Sequence, residues 1–176
     1  MSGSVKAVLS LREKPLADLS LETAKTMLHE RSFYDNSKNP EGKGVIHNYE
    51  ENPEKRIIVD NATGLVWQQS GSQNKMPYSE ADHYITNLNA QVFVGHQDWR
   101  LPTLEEAMSL MEREELHGLL RINPLFDYLQ EMIWTSDKSG DTHAWIVCFN
   151  PGICGKLKVA EGIFVRAVRS ITQTKK

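Results

Sequence analysis

Two segments of helical period stand in the middle of this chain with short β-like runs on both sides, and that order restricts the architectures open to it. The clearer helix follows Leu101-Pro102: Thr103 with Glu106 three residues on makes a capping box, and Leu104, Ala107, Met108 and Met111 repeat at helical spacing. Upstream, Ser79 with Asp82 three residues on is expected to open another, with Ala81, Tyr84, Ile85 and Leu88 on one face. Before them lie the runs Val45–Tyr49, Arg56–Asp60 and Leu65–Gln68, the last two joined by Asn61-Ala62-Thr63-Gly64, a turn that suits left-handed dihedrals. After them come Met132–Thr135, Ala144–Phe149 and Ile163–Val168. Strands early, helices in the middle and strands late predict an α+β domain whose antiparallel sheet closes by bringing the chain ends together.

Residues 1–43 read as an N-terminal arm, with a strand expected at Val5–Leu11 and a helix opened by Ser20, whose hydroxyl can cap the first turn; Leu21, Ala24 and Leu28 form its apolar stripe. The segment Ser37–Gly44 gathers Asn, Pro and Gly and reads as a loop, so residues 44–176 form the main domain. The arm is expected either to pack on that domain or to contact a partner chain.

With 176 residues, the chain can bury roughly two-thirds of its unfolded surface. Twenty basic residues against 23 acidic leave a net charge of -3, which gives no field to gather nucleic acid. Residues 1–11 carry no apolar run of signal-peptide length and no stretch reaches a membrane span, so the expected location is the cytoplasm, with no membrane partner. In that compartment Cys148 and Cys154 are expected to be reduced.

The tryptophans Trp67, Trp99, Trp134 and Trp145 occur in strand-like or turn contexts and are expected to fill the core. Arg100 is expected to hold loop carbonyls or Asp60. Glu105, Glu106, Glu112, Glu114 and Glu115 are expected to form a solvated helix face, because the apolar stripe claims the other side. None of the six histidines stands at zinc-site spacing, and there is no Gly-rich phosphate loop. No metal and no cofactor is expected.

Several phrases in order carry a resemblance: Val59-Asp60-Asn61-Ala62-Thr63-Gly64-Leu65-Val66-Trp67-Gln68, then Gly95-His96-Gln97-Asp98-Trp99-Arg100-Leu101-Pro102-Thr103-Leu104-Glu105-Glu106, then Ile133-Trp134-Thr135-Ser136, Ala144-Trp145 and Val165-Arg166-Ala167-Val168-Arg169. Over about residues 55–170 the chain resembles the bacterial Lcl C-terminal domain family. The resemblance implies a C-type-lectin-like fold, a twisted antiparallel β-sheet with two main amphipathic helices, in a superfamily shared with formylglycine-generating enzymes and retroelement-diversified variable proteins. It implies an exposed binding face in the segment before the last strand and names no ligand by itself; the chain is expected to be a non-catalytic module that binds a protein or a glycan there. Within Asp137–Phe164 the expected ligand-facing residues are Asn150, Ile153, Lys156, Lys158, Val159 and Glu161. The tripeptides that hold calcium in sugar-binding members are missing: Asn39-Pro40-Glu41 and Asn52-Pro53-Glu54 are reversed and misplaced. Two alternatives stay open, a formylglycine-generating-type copper oxidase using Cys148 and Cys154, and a signalling or adaptor domain.

Overall fold

The computed structural model describes residues 8–171. Its elements are α1 (Leu21–Glu30), β1 (Tyr49–Asn52), β2 (Ile57–Asp60), β3 (Leu65–Gln68), α2 (Tyr78–Ala90), α3 (Leu104–Ser109), β4 (Met132–Ser139), β5 (His143–Cys148), β6 (Ile153–Lys158) and β7 (Val168–Ser170). The α+β class agrees with the expectation. The single sheet does not: two antiparallel sheets form, of order β1-β2-β3-β7 and β4-β5-β6.

Local chemistry accounts for most of the element starts. Ser20 caps α1 by accepting from Thr23 N, and Thr103 caps α3 in a complete capping box with Glu106. The β2–β3 hairpin pairs Asp60 with Leu65 around the four-residue turn, where Gly64 takes φ +69° and Asp60 Oδ2 accepts from Thr63 Oγ1 at 2.7 Å. At α2 the cap position falls on Pro77, without a side-chain cap, and Ser79 lies inside the first turn. Proline's fixed φ starts that helix without the expected serine.

The first strand lies later than expected, at Tyr49–Asn52 instead of Val45–Tyr49, because the register with β2 runs from Tyr49 opposite Asp60 to Asn52 opposite Ile57. Of the expected Val5–Leu11 strand, residues 5–7 lie outside the described residues; the remainder is not a strand, though Leu9 N donates to Ala62 O. In the expected strand Ile163–Val168, Ile163 and Phe164 make single bridges to Met76 and Ile133, and the ladder with β3 starts only at Val168.

Three apolar clusters hold these elements together. The largest combines the inner faces of both sheets (Ile58, Trp67, Ile133, Trp145, Val147) with α3 and with Leu11, Leu19, Leu28 and Phe33 of the arm. Helix α2 covers the outer faces: Tyr78 and Ala81 pack on Trp134 and Ile146, and Leu88 on Val66 and Trp99. All four tryptophans are buried to 2 % exposure or less, as expected of side chains that each bring some 150–250 Å² to a core. The arm therefore shares its core with the main domain.

Polar links reinforce that packing. Asp137, with no exposed surface, accepts from Arg12 Nη1 and Nη2 at 2.8 and 2.7 Å and from the backbone N–H groups of Leu16 and Leu104. Trp145 Nε1 donates to Leu19 O.

The acidic run departs from its expectation at Glu105 and Glu106; α3 ends at Ser109, and Glu114 and Glu115, which lie beyond it, are exposed. Helix α3 is buried on every side, and Glu105 and Glu106 with it. Arg100 grips Glu106 bidentately at 2.6 and 2.7 Å instead of holding Asp60, and Arg31 lies 2.8 Å from Glu105. Asp60 is held from the arm side of β1, where His47 Nδ1 meets its Oδ2 at 2.7 Å.

Candidate functional site

The β5–β6 hairpin places the expected ligand-facing residues. Its strands pair from His143 opposite Lys158 to Cys148 opposite Ile153, so Ile153–Lys158, read from sequence as part of a loop, is an edge strand. Two glycine-containing turns and a run of mixed polarity hide this strand in sequence; only pairing with β5 reveals it. Side chains alternate along it. Cys154 faces the main core, while Ile153 and Leu157, followed by Val159, pack beside Tyr78 and Ala81 in the second cluster.

Asn150, Lys156, Lys158 and Glu161 are exposed, whereas Ile153 and Val159 are half-buried and serve the packing. Lys156 stands opposite Trp145 in the register; its ammonium lies 5.3 Å from the centre of the indole ring and donates to Ser139 Oγ at 2.9 Å. Asn150 occupies the tight turn and its carbonyl accepts from the Cys148 thiol. Glu161 sits in the turn at the other end, its N–H bonded to Lys158 O. The six residues thus lie on both faces of β6 and in its flanking turns, and do not converge on a cavity.

The outer edge of β6 is partly closed by the arm. Cys154 N donates to Asp35 Oδ2 at 2.8 Å and Cys154 O accepts from Lys38 Nζ at 2.6 Å, so one side-chain pair takes the place of a neighbouring strand. Asp35 also accepts from Ser37 N and Lys38 N. Burial would raise its carboxyl, but these N–H donors and the Lys38 ammonium outweigh it and hold the group below its ordinary value. By the two-residue alternation, the next outward-facing backbone is that of Lys156.

The two cysteines do not meet. Cys148 belongs to the outer cluster and Cys154 to the main core, on opposite faces of the three-stranded sheet. Burial pushes the Cys148 thiol up, and burial followed by the nearby Asp35 carboxylate pushes Cys154 up to about 12. Neither is poised as a thiolate.

A polar recess of ≈ 750 Å³ lies elsewhere, between the 68–74 segment, α2 and the 127–130 segment. Five carboxamides line it: Gln68, Gln73, Asn74, Gln91 and Gln130. The two buried ones are fixed. Gln68 accepts from Ala167 N and donates to Tyr84 OH, and Gln130 donates to Ser72 O. The side chains of Gln73 and Asn74 are exposed at its rim beside Arg56. Sequence reasoning missed this site. Its one local signal is the clustering of Gln68, Gln69, Gln73 and Asn74 just after β3; Gln91 and Gln130 join only through the tertiary fold.

Comparison with curated proteins returns no match. The family model described as the Lcl C-terminal domain matches residues 56–169, the span from the start of β2 into β7 that contains both the hairpin and the recess. The chain belongs to the Lcl C-terminal domain family.

Proposed function

We propose that this protein is a non-catalytic ligand-binding module with a C-type-lectin-like arrangement, binding a protein or glycan through the exposed stripe of β6 and its turns. The observation that carries this reading is the edge strand itself: Lys156 and Lys158 are exposed on a strand whose other side chains are anchored in two apolar clusters. A rigidly backed polar stripe can change side chains without disturbing the core. That property also suits a retroelement-diversified variable protein. The separation of Cys148 from Cys154 weighs against the copper-oxidase alternative, which needs both thiols on one ion. The arm's burial in the shared core weighs against its acting as a free adaptor, and the cytoplasm remains the proposed location.

A second reading places the ligand in the carboxamide-lined recess, favoured by its size and by the fixed amides at its floor. Screening the full chain on a printed glycan array, then measuring affinity for the hits, separates the two. For the β6 reading, Lys156→Ser with Lys158→Ser should weaken a hit about tenfold or more while stability moves by only ~0.5–1 kcal/mol. Loss of the same hit in Gln73→Leu with Gln91→Leu, but not in the lysine variant, would transfer the function to the recess. Hits indifferent to both variants would sink both sites.

A further inference from the structure

Strand β6 is the last of its sheet, and the ladder fixes which of its backbone groups point outward. Phe149 N donates to Glu131 O, one step beyond Met132 opposite Cys148, and by alternation the backbone of Val147 is turned to β4. Cys154, opposite Val147, therefore turns its N–H and C=O away from β5, where Asp35 and Lys38 take them. The same holds two residues on. Trp145, opposite Lys156, sends its carbonyl to Thr135 Oγ1 on β4, so Lys156 also presents its N–H and C=O to the outside, and Lys158 follows.

Only part of this edge is closed. The Asp35–Lys38 pair caps it at Cys154, and at the other end Lys158 O accepts from Glu161 N. Among the described residues, no partner takes the N–H or C=O of Lys156 or the N–H of Lys158. Three backbone groups at strand spacing are thus open between two closed ends.

The side chains along this stretch select what can pair there. Lys156 and Lys158 are exposed on one face. On the other face Gly155 lies between half-buried Ile153 and Leu157, and apart from its two chain neighbours no heavy atom comes within 4 Å of where a side chain at Gly155 would begin. A second copy of β6 fits poorly: laid antiparallel about Leu157 it sets Lys156 opposite Lys158, and about Lys156 it sets that lysine opposite its own copy. A strand with acidic side chains on the lysine face and apolar ones over Gly155 and Leu157 meets counter-charges on one side and open apolar surface on the other.

We infer that β6 takes an extended acidic segment of a partner protein as an added antiparallel strand, its acidic side chains alternating with apolar ones. The residue opposite Lys156 exchanges two backbone bonds with it, and the residue two positions earlier accepts from Lys158 N. Pairing stops at Cys154, where the outward groups are already taken. This rests on the reading that places the ligand at β6 and narrows that ligand to a peptide strand.

Fluorescence anisotropy of the full chain with a fluorescein-labelled hexapeptide of alternating glutamate and valine tests the inference. In the added strand the glutamate N–H groups face β6 and the valine N–H groups face away. N-methylating the glutamates should therefore weaken binding roughly tenfold or more, while N-methylating the valines leaves it within about twofold. Serine in place of glutamate should weaken it roughly tenfold as well, and high salt should weaken the parent peptide several-fold. No binding at millimolar peptide, equal losses in the two methylated forms, or a loss confined to the valine form overturns the inference. A lysine-dependent glycan hit beside any of these results leaves the β6 reading standing without strand addition, whereas hits indifferent to the lysines remove both. Lys156→Pro removes an outward N–H and spares the ladder with β5. A dimer of the full chain that this variant makes monomeric would give the edge to a second copy and overturn the inference too.

Discussion

At the scale of single residues, Asp35 combines burial with a full set of donors and closes the edge of β6. Its folded-state value lies below the ordinary 3.8 of the unfolded chain. The stability it supplies is therefore complete above about pH 4 and is lost as pH falls through the folded value. Asp60 behaves alike: burial would raise it, and the hydrogen bond from His47 leads the groups that lower it. Asp35→Asn should cost about 1–3 kcal/mol at neutral pH, since an amide faces the Cys154 N–H less well and leaves Lys38 with Cys154 O but without its carboxylate. It should also flatten the acid limb of stability. Urea midpoints from pH 7 down to pH 2 check this; parallel curves for the two proteins would remove Asp35 from acid unfolding. His47 has an oxygen within hydrogen-bond distance of each ring nitrogen, Asp60 Oδ2 and Ser109 O. The longer pairings, Asp35 with Cys154 and His47 with Asp60 and Ser109, were not legible in sequence, because the partners stand from 13 to 119 positions apart. The burial of Glu105 and Glu106 was missed for the same reason: a helical period marks an apolar stripe but does not tell whether arginines cover the opposite side.

At the scale of elements, the arm decides more than its place in the sequence suggests. Leu11, Leu19, Ala24, Leu28, Phe33 and Tyr34 are buried in the main core, and Arg12 and Leu19 are bonded to β4 and β5. Each large apolar side chain is worth about 1.5–3 kcal/mol when buried, so their sum rivals the whole stability of a typical domain, roughly 5–15 kcal/mol. Removing residues 1–43 should give an unfolded or aggregating product, and circular dichroism with sedimentation velocity reads the outcome. A well-folded truncation with a sharp thermal transition would show instead that residues 44–176 carry their own core. The short helix α3 makes a related point. Its capping box was legible in four residues, whereas its end at Ser109, followed by Leu110 whose N–H bonds back to Ala107 O, carries no glycine or proline signal.

At the scale of the whole molecule, the two sheets and α2 make a sandwich-like body in which Leu9 and Ile171 both bond to the β2–β3 turn, so the chain closes near its ends as expected. The same arrangement assigns Cys148 and Cys154 to opposite faces of one sheet. Thiol titration of the native protein should therefore be slow at both positions and complete only on unfolding, with no disulfide formed within the folded chain. Two fast-reacting thiols, or a rapid intramolecular bridge, would contradict this placement and revive a shared cysteine site. Sequence alone determined what adjacent residues control: the helix starts at Ser20 and Thr103, the β2–β3 turn, the tryptophan core and, through its ordered phrases, the family. Only the tertiary structure decided that β6 is an edge strand, that the arm belongs to the core, that five carboxamides share one recess and that Arg166 is fully buried. The physical reason is distance along the chain: capping and turn bonds close within a few residues, whereas ladder pairing, burial and charge balance depend on what the fold brings alongside.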